Sequence, residues 1–196
     1  MKTRLVGITG GIGSGKSTIS RCLQTMGYHV FNADDQASFA LEHDPEVVQQ
    51  VKALVGNDAY DSVGKANRAF IASKVFADSQ LLNQLNEVLH PVVKRMFEDW
   101  VIDHKGEKVL FKEAAILFES GANKQVDEVI AVVAPESVRL NRVKKRDNRS
   151  EKEILDIMSR QMNQEELVAK CQHVIINDDH TPVMPALLEL LQKLEA

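Results

Sequence analysis

An α/β fold with a five-stranded parallel sheet flanked by helices is what this sequence of 196 residues predicts, and three observations carry the prediction. Short apolar, β-branched runs recur at "RLVGITG", "YHVFNAD", "KVLFKEAAIL", "EVIAVVAP" and "HVIIND". Each is hydrophobic almost without interruption, the pattern of strands buried on both faces rather than one. Longer stretches of helical period lie between them, and alternating strands and helices make a parallel sheet covered by helices.

Taken in order, the first run leads into "GGIGSGKST" and then a helical pattern, so a strand, a glycine loop and a helix open the chain. The second run ends in Asn32, Ala33, Asp34 and Asp35, at a strand's carboxyl end, where open parallel sheets bind ligands. From Asp35 to Lys108 no strand pattern appears, and roughly seventy residues far exceed the dozen or more that a parallel crossover needs. Residues 35–107 therefore read as a helical insert over the active edge of the sheet. Within it "LLNQLNEVLHPVVKRMFEDWV" is a helix with a break or kink at Pro91. The last helical stretch, "PALLELLQKLE", places Leu187, Leu188, Leu191 and Leu194 on one face, with Pro185 near its start. The expected organisation is one domain, 1–196, with a core of 1–34 and 108–196 around that insert.

Composition narrows the partners. Lys and Arg number 24 against 28 Asp and Glu, a net charge of -4, so no global basic field draws the chain to nucleic acid or an anionic membrane. Cys22 and Cys171 are the two cysteines, without CxxC spacing, which argues against a disulfide framework or zinc site and suits a reducing compartment. The first apolar stretch is too short for a signal-peptide core, and no later run approaches the length of a membrane span. A soluble, cytoplasmic protein is expected.

The glycine loop carries the chemistry. Gly10-Gly11-Ile12-Gly13-Ser14-Gly15-Lys16-Ser17 fits G-x-x-x-x-G-K-[ST], with the strand before and helix after that the motif requires. Its backbone amides and the positive end of the following helix converge on one anion. Gly11, Ile12, Gly13, Ser14, Gly15, Lys16, Ser17 and Thr18 thus form a nucleoside triphosphate site, with Lys16 for the β- and γ-phosphates and the Ser17 hydroxyl for Mg²⁺. A guanine switch would carry N-K-x-D, and the nearest string, "NKQV" at 123–126, has valine in place of the carboxylate. Motors need larger domains. A small-molecule kinase fits better.

Two further groups suit a kinase. A carboxylate at the end of the second strand can accept the proton of an attacking hydroxyl, with Asp34 favoured for that chemistry and Asp35 as the cap of the helix that follows. In "RLNRVKKRDNR", residues 139–149, six of eleven residues are basic against one acid. Arg142 and Arg146 are four apart and share a helix face, and Ser150 with Glu153 forms a capping box that starts the next helix. Helix, basic turn and helix over about 139–160 describe a lid that brings Arg142 onto the transferring phosphoryl group.

These residues as an ordered set resemble one family, dephospho-coenzyme A kinase, a P-loop kinase family. The similarity lies in "LVGITGGIGSGKST", in "NAD" at 32–34 for the family's D-A-D, and in Gly64-Lys65-Ala66-Asn67-Arg68 followed by Val75-Phe76. It continues through His90-Pro91, the stretch Ile116-Leu117-Phe118-Glu119, Arg142 and Arg146, Gln161 and the late Asn177. Three positions depart: Asn32 for the first aspartate, Asn67 beside Arg68, and no proline before the "ILFE" stretch.

The resemblance implies transfer of the ATP γ-phosphoryl group to the 3′-hydroxyl of dephospho-coenzyme A. It implies catalytic roles for Lys16, Asp34 and Arg142, and ATP contacts from the loop, Arg142, Arg146 and Asn177. Acceptor contacts from Asp34, Arg68, His90, Leu117 and Glu119, and Mg²⁺ at Ser17, are implied likewise. The expected partners are ATP and dephospho-coenzyme A, with no nucleic acid or membrane, in a monomer or small homo-oligomer. A kinase for another acceptor, such as a nucleoside monophosphate, and a nucleotide-binding protein without catalysis are the rival readings.

Overall fold

The computed structural model describes residues 2–147 and 150–196, and within α-helical residues 76 and 77 the backbone alone. Asn148 and Arg149, in the basic run and its turn, and the side chain of Phe76 lie outside the described residues. The chain forms two compact units, Met1–Asn32 with His104–Ala196, and Ala33–Asp103.

The first unit holds the sheet. Its strands are β1 (Arg4–Thr9), β2 (Val30–Asn32), β3 (Val109–Glu113), β4 (Glu128–Val133) and β5 (His173–Ile176). They lie in the order β2-β3-β1-β4-β5, every neighbouring pair parallel. All five come from the five apolar runs. The chain leaves β1 toward β2 on one side and later reaches β4 on the other, so β1 marks the switch point, where the carboxyl ends of a parallel sheet open a ligand crevice.

One sheet face is covered by α1 (Lys16–Thr25) and α9 (Val183–Glu195). Val6 and Ile8 of β1, Phe111, Ile130, Val132 and Ile175 pack there against Ile19 and Leu23 of α1 and Leu187, Leu190, Leu191 and Leu194 of α9. Burying each such leucine stabilises the fold by about 1.5–3 kcal/mol. The face chosen by α9 differs from the expected one: Leu190 is buried and Leu188 is 48% exposed. The set 187, 190, 191 and 194 follows the i, i+3, i+4, i+7 stripe that a 3.6-residue turn presents to a core. On the opposite face Leu167 packs against Ala131 and Val133.

Three more helices belong to this unit: α6 (Glu136–Asp147), α7 (Glu151–Ser159) and α8 (Gln164–Lys170). The capping box at the start of α7 is present. The Ser150 side chain accepts from Glu153 N, and the Glu153 carboxylate accepts from Ser150 N at 2.8 Å.

The second unit is helical, with α2 (Ala33–His43), α3 (Pro45–Val55), α4 (Arg68–Ala77) and α5 (Ser79–Asp103). Asp44 starts α3 by accepting from the amides of Glu46 and Val47, with Pro45 as the first helical residue. Asn67 starts α4 by accepting from Phe70 N at 3.1 Å, so its departure from aspartate keeps the cap. Its core gathers Ala40, Val47, Val51, Tyr60, Ile71, Val75, Leu85 and Val92. The expected break at Pro91 does not occur: α5 runs unbroken for 25 residues with Pro91 inside. An interior proline costs about 3 kcal/mol, and buried Leu85 and Val92 on either side of it hold the helix together.

Candidate active site

The phosphate loop springs from the carboxyl end of β1 and ends in α1, whose first residue is Lys16. Gly13 and Gly15 have φ of 78° and 94°, the left-handed region that a side chain disfavours. Space is limited as well: a Cβ on Gly15 would fall on Asn177 Nδ2, and one on Gly13 would lie 2.6 Å from Arg139 O. The loop is therefore a tight backbone cradle. Lys16 curls back over it, its Nζ donating to Gly10 O at 2.8 Å and Gly11 O at 3.4 Å. Ser17 and Thr18 are exposed in the first turn of α1.

Side chains from distant segments brace this cradle. Asn177, just after β5, donates from Nδ2 to Ser14 O at 2.8 Å. Gln161, after α7, accepts from Ile12 N at 2.7 Å. That amide, expected to face the nucleotide, is thus engaged within the protein. Gln161 is a loop contact that the sequence flagged only as a matched family position. Glu119 supports the same corner, its Oε1 accepting from Met162 N at 2.9 Å next to Gln161. Glu119 is exposed, and this amide engages one of its two carboxylate oxygens. Leu117, expected as an acceptor contact, lies in the core. Its side chain is 0% exposed and lies beneath Gly7, where a Cβ would come within 2.7 Å of it.

Arg142 differs most from expectation. Its guanidinium donates to Gly13 O at 3.2 Å, Ser14 O at 3.4 Å and Asn177 Oδ1 at 3.2 Å, and pairs with the Asp179 carboxylate. Asp179 itself adopts a φ of 70°, a left-handed conformation that aspartate tolerates better than most residues. Charge-assisted bonds of this kind hold a planar guanidinium in place, so Arg142 ties the loop backbone to Asn177 and Asp179 after β5. Arg142→Ala is therefore expected to raise the dissociation constants of ATP and ADP together, by about tenfold, the scale of one lost charged hydrogen bond. Titration calorimetry with both nucleotides checks this; a kcat defect with both affinities intact would restore the lid role. Arg146 pairs with its neighbour Asp147 at 2.6 Å, which raises its pKa, and its side chain is exposed.

Lys112 and Glu113 at the end of β3 are functional candidates that sequence reasoning missed, and two charged residues inside an apolar run are the signal for them. Both are buried, Glu113 at 5% exposure and in register with Ile8 of β1 and Asn32 of β2. Lys112 pairs with Gln125 and sits over the Phe31 ring.

In the helical unit, Asp34 and Asp35 both lie in the first turn of α2. The helix begins at Ala33, so Asn32 occupies the cap position and Asp35 is a first-turn acid, not the cap expected of it. Asparagine caps as well as aspartate, and both acids face the positive end of the helix dipole. Arg68, the first residue of α4, donates from Nε and Nη2 to Glu42 Oε1 at 3.2 and 2.9 Å and remains largely exposed. His90 is half-buried on α5, and burial lowers its pKa, favouring a neutral imidazole.

A magnesium nucleotide fits these residues. The cradle leaves no room for side chains at its glycines, and the Ser17 hydroxyl is exposed beside it. Among the described residues no group of three or more His, Cys, Asp or Glu could hold a metal ion alone. No helix among the described residues is long and apolar enough to cross a membrane.

Comparison with known proteins gives this site its context. The model of the family described as dephospho-CoA kinase matches residues 4–182. The chain is 38% identical over 186 residues to a dephospho-CoA kinase of Bacteroides fragilis, covering 95% of this chain and 90% of that protein. It is 42% identical over 187 residues to one from Chlorobaculum tepidum, covering 91% and 89%. The solved dephospho-CoA kinase of Campylobacter jejuni shares the fold, with a TM-score of 0.73 at 22% identity over 99% of this chain and 98% of that one. With its braced phosphate loop and a family match spanning nearly its whole length, the chain belongs to the dephospho-CoA kinase family.

Proposed function

We propose that the chain transfers the γ-phosphoryl group of ATP to the 3′-hydroxyl of the ribose of dephospho-coenzyme A, giving coenzyme A and ADP. The observation that supports this most is the phosphate loop at the sheet's switch point, braced by Gln161, Arg142 and Asn177, in a chain of that family. The loop amides and Lys16 hold the triphosphate, and Arg142 with Asn177 keeps the loop in the shape that binds it. Asp34 accepts the proton of the attacking hydroxyl and orients that oxygen. Arg68 and His90 hold the acceptor, with Arg68 supplying a planar cation suited to its phosphates. The Ser17 hydroxyl would hold Mg²⁺ together with the nucleotide, and the ion would supply positive charge against the phosphates. Glu113 adds a buried carboxylate at the carboxyl end of β3, in register with Ile8 of β1.

The remaining features of the reading are a two-part organisation, with Ala33–Asp103 as the acceptor unit and a lid about 139–160, in a cytoplasmic monomer or small homo-oligomer. A panel of acceptors scored by ADP release tests the function. Dephospho-coenzyme A is expected to turn over at least about a hundredfold faster, per kcat/KM, than any nucleoside monophosphate or simple sugar, the range a hydrogen-bonding site achieves against poor analogues. A preference for another acceptor would replace the substrate, and tight ATP binding with no turnover on any acceptor would replace the enzyme with a binder.

A further inference from the structure

We propose that Arg139, not Arg142, is the arginine that meets the γ-phosphate of the bound triphosphate. The inference rests on the reading of the loop as an ATP site. Both arginines come from α6, three residues apart and hence neighbours on one helix face. Arg142 is committed to loop carbonyls, Asn177 and Asp179. Arg139 is placed differently. A Cβ on Gly11 would fall on its Nη1 and lie 3.3 Å from its Cζ, so the guanidinium packs directly over the start of the loop. Its Nε is buried and, among the described residues, has no hydrogen-bond partner.

A half-buried guanidinium with an unmatched donor is unfavourable unless something binds it. Burial accordingly lowers its pKa, with the Glu136 carboxylate opposing in part. The position identifies what binds it. Lys16 Nζ rests on the carbonyls of Gly10 and Gly11, so two cations share one end of the loop. In a phosphate loop the lysine serves the β- and γ-phosphates, which makes this the terminal-phosphate end. Phosphate oxygens match the fork of an arginine better than any other common ligand.

During transfer, the bond from the γ-phosphorus to the bridging oxygen breaks, and its electron pair leaves with ADP. A new bond forms to the acceptor oxygen, whose proton passes to the carboxylate base. Arg139 keeps its own proton throughout and stabilises charge on the three equatorial oxygens of the transferring group.

The test compares ATP and ADP, which differ by the phosphate in question, on wild type, Arg139→Met and Arg139→Lys. Arg139→Met is expected to bind ADP within about twofold of wild type, to bind ATP about tenfold more weakly, and to lose about 10³ in kcat, the lower end for a cis arginine. Arg139→Lys is expected to recover most of the ATP affinity but little of kcat, since a point charge lacks the planar fork. It also carries the test should the methionine variant not fold. Equal weakening of ATP and ADP would reduce Arg139 to a spacer under the loop and overturn the proposal, as would a kcat within about threefold of wild type, since that range is far below an arginine's usual effect. Failure of wild type to bind ATP at all would instead overturn the kinase reading beneath it.

Discussion

Lys16→Ala is expected to weaken ATP binding and lower turnover together, with kcat/KM falling by at least about 10²–10³, the range for one preorganised donor at a site of developing charge. The lysine meets phosphate charge in the ground state and more of it in the transition state, so KM and kcat both move. The loop itself should survive the change. Its curvature is fixed by Asn177 on Ser14 O, Gln161 on Ile12 N and Arg142 on Gly13 O, none of which needs the lysine. Steady-state kinetics with a thermal melt of the same preparation checks this. Unchanged affinity and rate would remove the phosphate-loop reading.

Asp34→Asn is expected to lower kcat by about 10²–10⁴, the range for a positioned general base, while ATP affinity stays within a few-fold. Asparagine keeps the shape but takes no proton near neutral pH. Because the hydroxyl proton leaves late in a loose transition state, part of the loss is orientation of the nucleophile. Asp35→Asn is the control. It removes the next first-turn charge from α2, worth about 0.3–1 kcal/mol against the helix dipole, and should leave kcat nearly unchanged. Loss of kcat from Asp35→Asn alone would move the base by one residue, and loss from neither would end the carboxylate mechanism.

The five strands and the phosphate loop were legible because each is a local pattern. Near-continuous apolar runs mark strands buried on both faces, and a strand–glycine–lysine–helix order has few other uses. The capping box at Ser150 and Glu153 was legible for the same reason. What escaped depends on where a side chain ends. Arg142 and Arg139 look alike in a basic run, yet one is tied to loop carbonyls and the other lies over Gly11. Leu117 and Glu119 belong to a recognisable stretch, but sequence does not say that Leu117 fills the space left by Gly7, or that Glu119 holds Met162 N. Pro91 marks no helix boundary, since α5 continues through it with Leu85 and Val92 buried on either side. Glu113 lies inside a run that reads as a strand, and only the packed sheet shows its carboxylate buried.

The most direct measurement is of the product itself. Wild type is incubated with ATP, Mg²⁺ and dephospho-coenzyme A, and the phosphorylated position is located by phosphorus NMR while ADP is counted. The expected result is one new monoester phosphate on the ribose 3′-oxygen for each ADP formed, and none when dephospho-coenzyme A is omitted. ADP release that does not depend on that acceptor, or a phosphate on any other oxygen, would contradict the proposed function.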